Sequence, residues 1–337
     1  MDFLTRWKRA AVHLECATDS ESLNRRIERW DTLRERFDEG DISQEDLADQ
    51  YLHGSRDVRS HGTAILLEHE RRRYLLTARH VVFDELSAKR ELEEEVQRLQ
   101  SAPADFRNSV LESAQQRACN RVFNIIFRVP TLDEILQRGP NASRGFVMNL
   151  QAGASWAIPY TFSEPELDLA IISLDQRDSK FGDELSILGY EPIHLADVSD
   201  EPSAEGVEVF TVGYPSATAF LGQLDLHPAK AQWSSAYVSV ATLAFGRVSM
   251  LHQMLNYFWC DMSIYPGNSG GPVIENEKAV GIVSRQPGLP IENFDELGQA
   301  RSLLVGKYRI PFAKVIKAKY IKPVLEQQIE KDRNQRV

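Results

Sequence analysis

The stretch Pro266-Gly267-Asn268-Ser269-Gly270-Gly271-Pro272 lies between two β-rich runs and sets one hydroxyl among three glycines. A serine that attacks a carbonyl needs an exposed hydroxyl. It also needs backbone N–H groups aimed at the oxygen that becomes an anion. Glycine permits such a backbone: free φ at Gly267 lets its N–H turn inward beside that of Ser269, while Gly270 and Gly271 carry no side chain to block approach. Alone, the heptapeptide reads equally as a Gly-rich hairpin turn. A nucleophile requires a base elsewhere in the chain.

Thr77-Ala78-Arg79-His80-Val81-Val82 offers one, with His80 at the end of a strand-like run, a rigid position from which an imidazole can reach across a cleft. The plainer alternative is a polar residue closing a strand. His13, His53, His194 and His252 have no comparable setting. The base in turn needs a carboxylate to orient it. Leu167-Asp168-Leu169-Ala170-Ile171-Ile172 frames a single acid with apolar residues, and a charge in such a frame wants a partner because an unpaired buried charge is costly. Its alternative is a solvated loop aspartate.

Around these residues the chain reads as two β units in tandem. Strand-like runs cover residues 63–67, 74–77, 122–129, 145–150 and 169–174 in the first, and 207–212, 237–244, 257–264, 273–274 and 279–283 in the second. His80 and Asp168 therefore belong to the first unit and Ser269 to the second, which builds the site in the cleft between them. A polar, acidic connection over residues 175–206 joins the units.

Helical patterns flank and interrupt the β units. The first fifty-odd residues read as a helical arm: Leu23, Ile27, Trp30, Leu33 and Phe37 recur at helical spacing, Thr18 and Glu21 make a capping-box pattern, and Gly40 stops the helix. Ser43 and Asp46 repeat the capping pattern before a second, short helix. Leu86, Leu92, Val96 and Leu99 mark a helical insertion over residues 84–116. Residues 311–328, with Phe312, Val315, Ile316, Tyr320, Val324 and Leu325, read as a closing amphipathic helix. The expected organisation is a helical extension over 1–55 and one β domain over 56–335. That domain has its first barrel at about 60–178, its second at about 206–310, and the closing helix after them.

Composition narrows the functions. The chain has 337 residues, 42% hydrophobic and 26% charged, which is ordinary for a folded globular protein. A net charge of -10 disfavours nucleic acid as a partner, and the one compact basic run, Arg71-Arg72-Arg73, falls in a turn. The amino terminus has no apolar leader core and no run of about eighteen apolar residues occurs, so no membrane association is expected and the expected location is cytoplasmic. Cys16, Cys119 and Cys260 are odd in number and far apart, giving neither a disulfide framework nor a CxxC clip. Without HExxH, CxxC or a phosphate-cradling GxxxxGK, no metal or other cofactor is expected.

Taken together, these segments resemble the trypsin-like peptidase family, most closely its bacterial HtrA (Deg) branch. Gly62-Thr63-Ala64 is similar to the strand before the family's histidine, and residues 76–81 to the histidine motif. Residues 168–172 are similar to the aspartate motif, Val212-Gly213-Tyr214-Pro215 to the opening of the second barrel, and residues 266–272 to the serine motif. Val280-Gly281-Ile282-Val283-Ser284 is similar to the strand that pairs with substrate backbone.

The resemblance covers roughly residues 60–325. It implies a mainly β, chymotrypsin-like double antiparallel β-barrel acting as a serine endopeptidase on protein or peptide substrates. By it, Ser269 is the nucleophile, His80 the general base and Asp168 its orienter, and the Gly267 and Ser269 N–H groups form the oxyanion hole. Ser263 falls where the family places the floor of its primary specificity pocket, and a serine there favours small or apolar side chains. Ser284 and its strand hold the substrate.

Arg79 departs from the family's small residue before the histidine, and Asn268 stands in place of the acid of the digestive enzymes. No carboxy-terminal stretch is long enough for the HtrA branch's PDZ domain. The alternatives to an active peptidase are a latent or inactive peptide-binding scaffold on the same fold, and an esterase using the same triad. The arm is expected to pack on the barrel or to serve a regulatory partner or self-association.

Overall fold

The computed structural model describes residues 2–18, 23–53, 58–98, 124–128, 145–148, 150, 158–176, 180–215, 241–294 and 300–334. A short helix, Phe3–Ala10 (α1), runs directly into a strand, Ala11–Thr18 (β1). Asp2 caps the helix by accepting from Leu4 N at 2.7 Å. The strand corrects the all-helical reading of this region. Val12, Leu14 and Cys16 alternate into one core as a period of two requires. His13 and Glu15, on the opposite face, are also buried and conceal the alternation.

Two helices follow, Leu23–Asp38 (α2), expected from spacing, and Gln44–His53 (α3), expected from its capping pattern. Gly40 takes φ +80° just beyond the first, and Ser43 and Asp46 cap the second reciprocally, with Asp46 N donating to Ser43 Oγ and Ser43 N to Asp46 Oδ2, each at 3.1 Å. The Thr18–Glu21 cap lies largely outside the described residues. The strand Val58–His69 (β2) then pairs antiparallel with β1 along its whole length, from Ala11↔Ile65 to Thr18↔Val58. The two helices are thus an excursion from a β-hairpin.

Arg72–Ala78 (β3) turns back along β2 through Glu70 and Arg71, both at positive φ. The helices Arg79–Val82 (α4) and Glu85–Arg98 (α5) come next, α5 beginning the expected insertion, whose remainder lies outside the described residues. Asn124–Arg128 (β4), Gly145–Met148 (β5), Tyr160–Phe162 (β6) and Leu169–Ser173 (β7) complete the first unit. Among the described residues it is a sheet ordered β5-β4-β1-β2-β3-β7-β6. After the helix Lys180–Ile187 (α6), the short strand Ile193–His194 (β8) pairs with β2 in parallel.

The second unit is a closed barrel. Its strands are Glu208–Gly213 (β9), Thr242–Met250 (β10), Tyr257–Met262 (β11), Pro272–Glu275 (β12) and Lys278–Arg285 (β13). A separate hairpin, Gly288–Phe294 (β14) with Ala300–Arg309 (β15), precedes the last barrel strand, Ala313–Lys317 (β16). The barrel order is β10-β11-β16-β13-β12-β9. β16 corrects the reading of residues 311–328 as one helix. Bridging β11 and β13 closes the barrel, and this tertiary demand overrides a spacing that suits a helix. The closing helix is Ile321–Asn334 (α7), packed on β6 and β7 of the first sheet.

Among the described residues one buried cluster lies within the first unit, one within the barrel, and a third spans both. Ile65, Leu67, Leu76 and Ile171 of the sheet pack with Val212, Ile274, Ile282 and Ile316 of the barrel, and Trp7 of α1 is wholly buried among them. No helix among the described residues is long and apolar enough to cross a membrane.

Candidate active site

The end of β3 and the start of β7 meet at the edge of the first sheet, where Ala78 is paired with Leu169. One residue beyond each lie Arg79 and Asp168. Arg79 N donates to Asp168 O at 3.0 Å, and His80 N donates to Asp168 Oδ1 at 3.1 Å. The first turn of α4 therefore fixes both the backbone and the carboxylate of Asp168. Asp168 itself has φ +47°, a left-handed conformation that aspartate tolerates better than most residues. It follows a tight turn in which Leu167 N and Asp168 N both donate to Glu164 O.

The carboxylate is buried and fully engaged. It accepts from His80 Nδ1 at 2.9 Å and from the Ser284 hydroxyl at 2.5 Å. Burial pushes the Asp168 carboxyl upward; the hydrogen bond and charge of His80, the Ser284 hydroxyl and the His80 N–H outweigh it and hold the group below the usual carboxylate range. An imidazole that donates from Nδ1 keeps its Nε2 lone pair to accept a proton. The His80 side chain is 43% exposed and can meet a substrate, whereas that of Asp168 is 6% exposed and cannot.

Ser269 is carried by a loop tied to both units. From the sheet, Thr63 N donates to Ser269 O at 2.8 Å and Thr63 Oγ1 to Gly267 O at 2.7 Å. From the barrel, Val283 O accepts from Gly270 N at 2.7 Å. Gly270, at φ +86°, fits because a Cβ there would lie 2.0 Å from Thr63 O. Gly267 takes φ +103°, and among the described residues neither its N–H nor that of Ser269 donates to a protein acceptor. Backbone N–H groups left without a protein acceptor near a hydroxyl are the kind of donor an oxyanion requires. The Ser269 hydroxyl itself donates to Ser284 O at 3.0 Å.

His80, Asp168, Ser269 and Ser284 are thus brought together. The Ser284 side chain is wholly buried against Asp168, a contact the sequence did not suggest, while its backbone carbonyl lies at Ser269. Ser263 is exposed beyond β11, with no hydrogen bond to the others. Arg79 does not obstruct the site. Its guanidinium stacks on Phe83 and Phe162, donates to Ser163 O at 3.1 Å and pairs with Glu85 at 2.7 Å, bracing the turn that carries Asp168.

Sequence reasoning missed Thr63 as the stitch across the cleft. Its only signal was its place after Gly62, where a Cβ would strike Val81 at 2.4 Å. Beside the histidine opens a cleft of about 350 Å³, lined by Arg79, His80, Glu85, Pro165, Asp168 and Arg285. Among the described residues no group of His, Cys, Asp and Glu converges to hold a metal.

No curated protein matches the chain. Among solved structures, human heparin binding protein is similar over 79% of this chain and 86% of its own, at 12% identity and a TM-score of 0.39. A mutant of that human protein is similar over 80% and 86%, at 10% identity and a TM-score of 0.40. The family profile of the trypsin-like peptidase domain matches residues 62–282, which takes in β2, α4, β7, the Ser269 loop and most of β13. The chain belongs to the trypsin-like peptidase family.

Proposed function

We propose that the protein is a serine endopeptidase that cleaves protein or peptide substrates through an acyl-enzyme. The observation that carries the reading is the chain of hydrogen bonds from the Ser284 hydroxyl through Asp168 to His80 Nδ1, linked through Ser284 to a serine whose own N–H and that of Gly267 have no protein acceptor among the described residues. Ser269 Oγ attacks the substrate carbonyl and its proton passes to His80 Nε2. The Gly267 and Ser269 N–H groups receive the oxyanion, and His80 returns the proton to the departing amine. Water then cleaves the Ser269 ester by the same relay. Asp168 stabilises the imidazolium in both halves.

A second reading, a latent scaffold that binds peptides without cutting them, draws support from one contact. The Ser269 hydroxyl donates to Ser284 O, so catalysis requires it first to rotate toward His80. Such hydrogen bonds commonly form only once substrate is bound, which favours the active enzyme.

Likeness to the HtrA (Deg) branch belongs to the same proposal and rests on the motif residues alone. So does a reducing, cytoplasmic setting, supported by Cys16 and Cys260, which are free and buried. The α2–α3 pair is proposed as a docking place for a regulatory partner or a second copy, supported by Trp30 and Phe37, each 37% exposed. The test of activity is a map of new amino termini in a denatured protein mixture. Wild type should generate them and Ser269→Ala should not. Identical maps from the two proteins would leave the scaffold.

A further inference from the structure

The wall of the cleft beside His80 includes a cation that forms no ion pair among the described residues. Arg285 lines that cleft, and among the described residues it forms no ion pair. In the pairing of β13 with β16 it stands directly opposite Lys314. Like charges opposed across two strands destabilise a sheet. Lys314 relieves part of this by resting its ammonium over the ring of Tyr257, 4.5 Å from the centroid. Burial and the charge of Arg285 nonetheless push the Lys314 ammonium down, against the opposing pull of Asp168 and Glu166.

The carboxylates nearby are largely committed elsewhere. Glu85 is held by Arg79 at 2.7 Å, and Asp168 by His80 and Ser284. Glu166 is exposed on its turn. In a chain of net charge -10, an arginine left unpaired at the proposed site is where an anion would bind with least competition.

Arg285 directly follows Ser284, whose carbonyl lies 3.0 Å from Ser269 Oγ. An extended arginine reaches about as far as two residues of extended chain, which advance ~3.3 Å each. Its guanidinium therefore meets substrate side chains close to the bond under attack. Resting on the peptidase reading above, we propose that Arg285 is a specificity-determining residue. It selects substrates that carry an acidic side chain, Asp or Glu, within about three residues of the scissile bond.

The test uses peptides that differ only by Glu, Gln or Lys at each of those positions in turn. They are assayed with wild type, Arg285→Ala and Arg285→Glu. At one or more positions wild type should favour Glu over Gln by about tenfold in kcat/KM. Arg285→Ala should bring that ratio near one, and Arg285→Glu should favour Lys. The ratios should shrink with added salt.

The same peptides are also titrated against Ser269→Ala, with and without Arg285→Glu, by fluorescence anisotropy. This separates the two claims. Charge-dependent binding that reverses with Arg285→Glu supports the inference even if wild type cuts nothing, in which case the peptidase reading alone fails. Equal rates and equal binding for Glu and Gln peptides, or a preference that Arg285→Glu leaves unchanged, would overturn the inference.

Discussion

At the scale of single residues, Asp168 combines a left-handed backbone, near-complete burial and a charge. Only its partners make that combination stable. Asp168→Asn keeps the shape but changes which imidazole nitrogen carries the proton, so the rate of acylation should fall by roughly 10³–10⁴-fold.

The same residue sets an acid limit on stability. Its folded pKa lies below the ordinary value, so the unfolded chain takes up the proton first as the pH falls. The contribution of the carboxylate is complete above the ordinary carboxylate pKa of about 4 and is lost as the pH drops through the folded value. Melting temperatures of wild type and Asp168→Asn, followed against pH, should differ most above about pH 5, and the gap should begin to close only as the pH falls below about 4. A gap that stays constant would refute the depressed pKa. Ser284→Ala removes one donor from this buried carboxylate and should cost about 1–3 kcal/mol in denaturant unfolding.

The candidate residues His80, Asp168 and Ser269 stood out in the sequence because each sits in a short stretch whose local chemistry is unusual. The roles of Ser284 and Thr63 were not. Each depends on a hydrogen bond to a residue more than a hundred positions away, and no local pattern encodes such a contact.

At the scale of elements, the misread segments were those whose tertiary partners outweighed their own periodicity. β1 hides its alternation behind buried His13 and Glu15, and β16 carries a helical spacing but is drawn into the gap between β11 and β13. Strands with clean alternation and helices with capping residues were legible, as β3 and the Ser43–Asp46 box of α3 illustrate.

The placement of α1 and β1 alters what a truncation would mean. Removing the whole arm would strip Trp7 from the shared core and a strand from the sheet, so lost activity would report unfolding and not regulation. Trp7→Ala alone should cost about 3–5 kcal/mol in denaturant unfolding. Replacing residues 19–57 with a short turn is the cleaner experiment, because Thr18 and Val58 already face each other. That variant should fold, with a melting temperature within a few degrees of wild type. A change in its peptide cleavage would assign α2 and α3 a regulatory role, and unchanged kinetics would deny it.

At the scale of the molecule, the sheet and the barrel each keep a buried cluster of their own, and a third, larger cluster joins them. Ile65 and Ile171 pack with Val212 and Ile282, and Thr63 is bonded to the loop that carries Ser269. Unfolding should therefore be a single cooperative transition, with equal calorimetric and van't Hoff enthalpies. Ile171→Ala, although in the sheet, should lower that one transition by about 2–5 kcal/mol and should not split it. Two resolved transitions would contradict the shared core. The same continuity links Ser269 of one unit to His80 of the other through Ser284 and Asp168.

The most direct measurement is labelling with a fluorophosphonate probe, which reacts with a serine only when a base takes its proton. Wild type should carry one phosphonyl group on Ser269, Ser269→Ala none, and His80→Ala should label at a rate reduced at least a thousandfold. A well-folded wild type that remains unlabelled, or that labels equally without His80, would contradict the proposed relay.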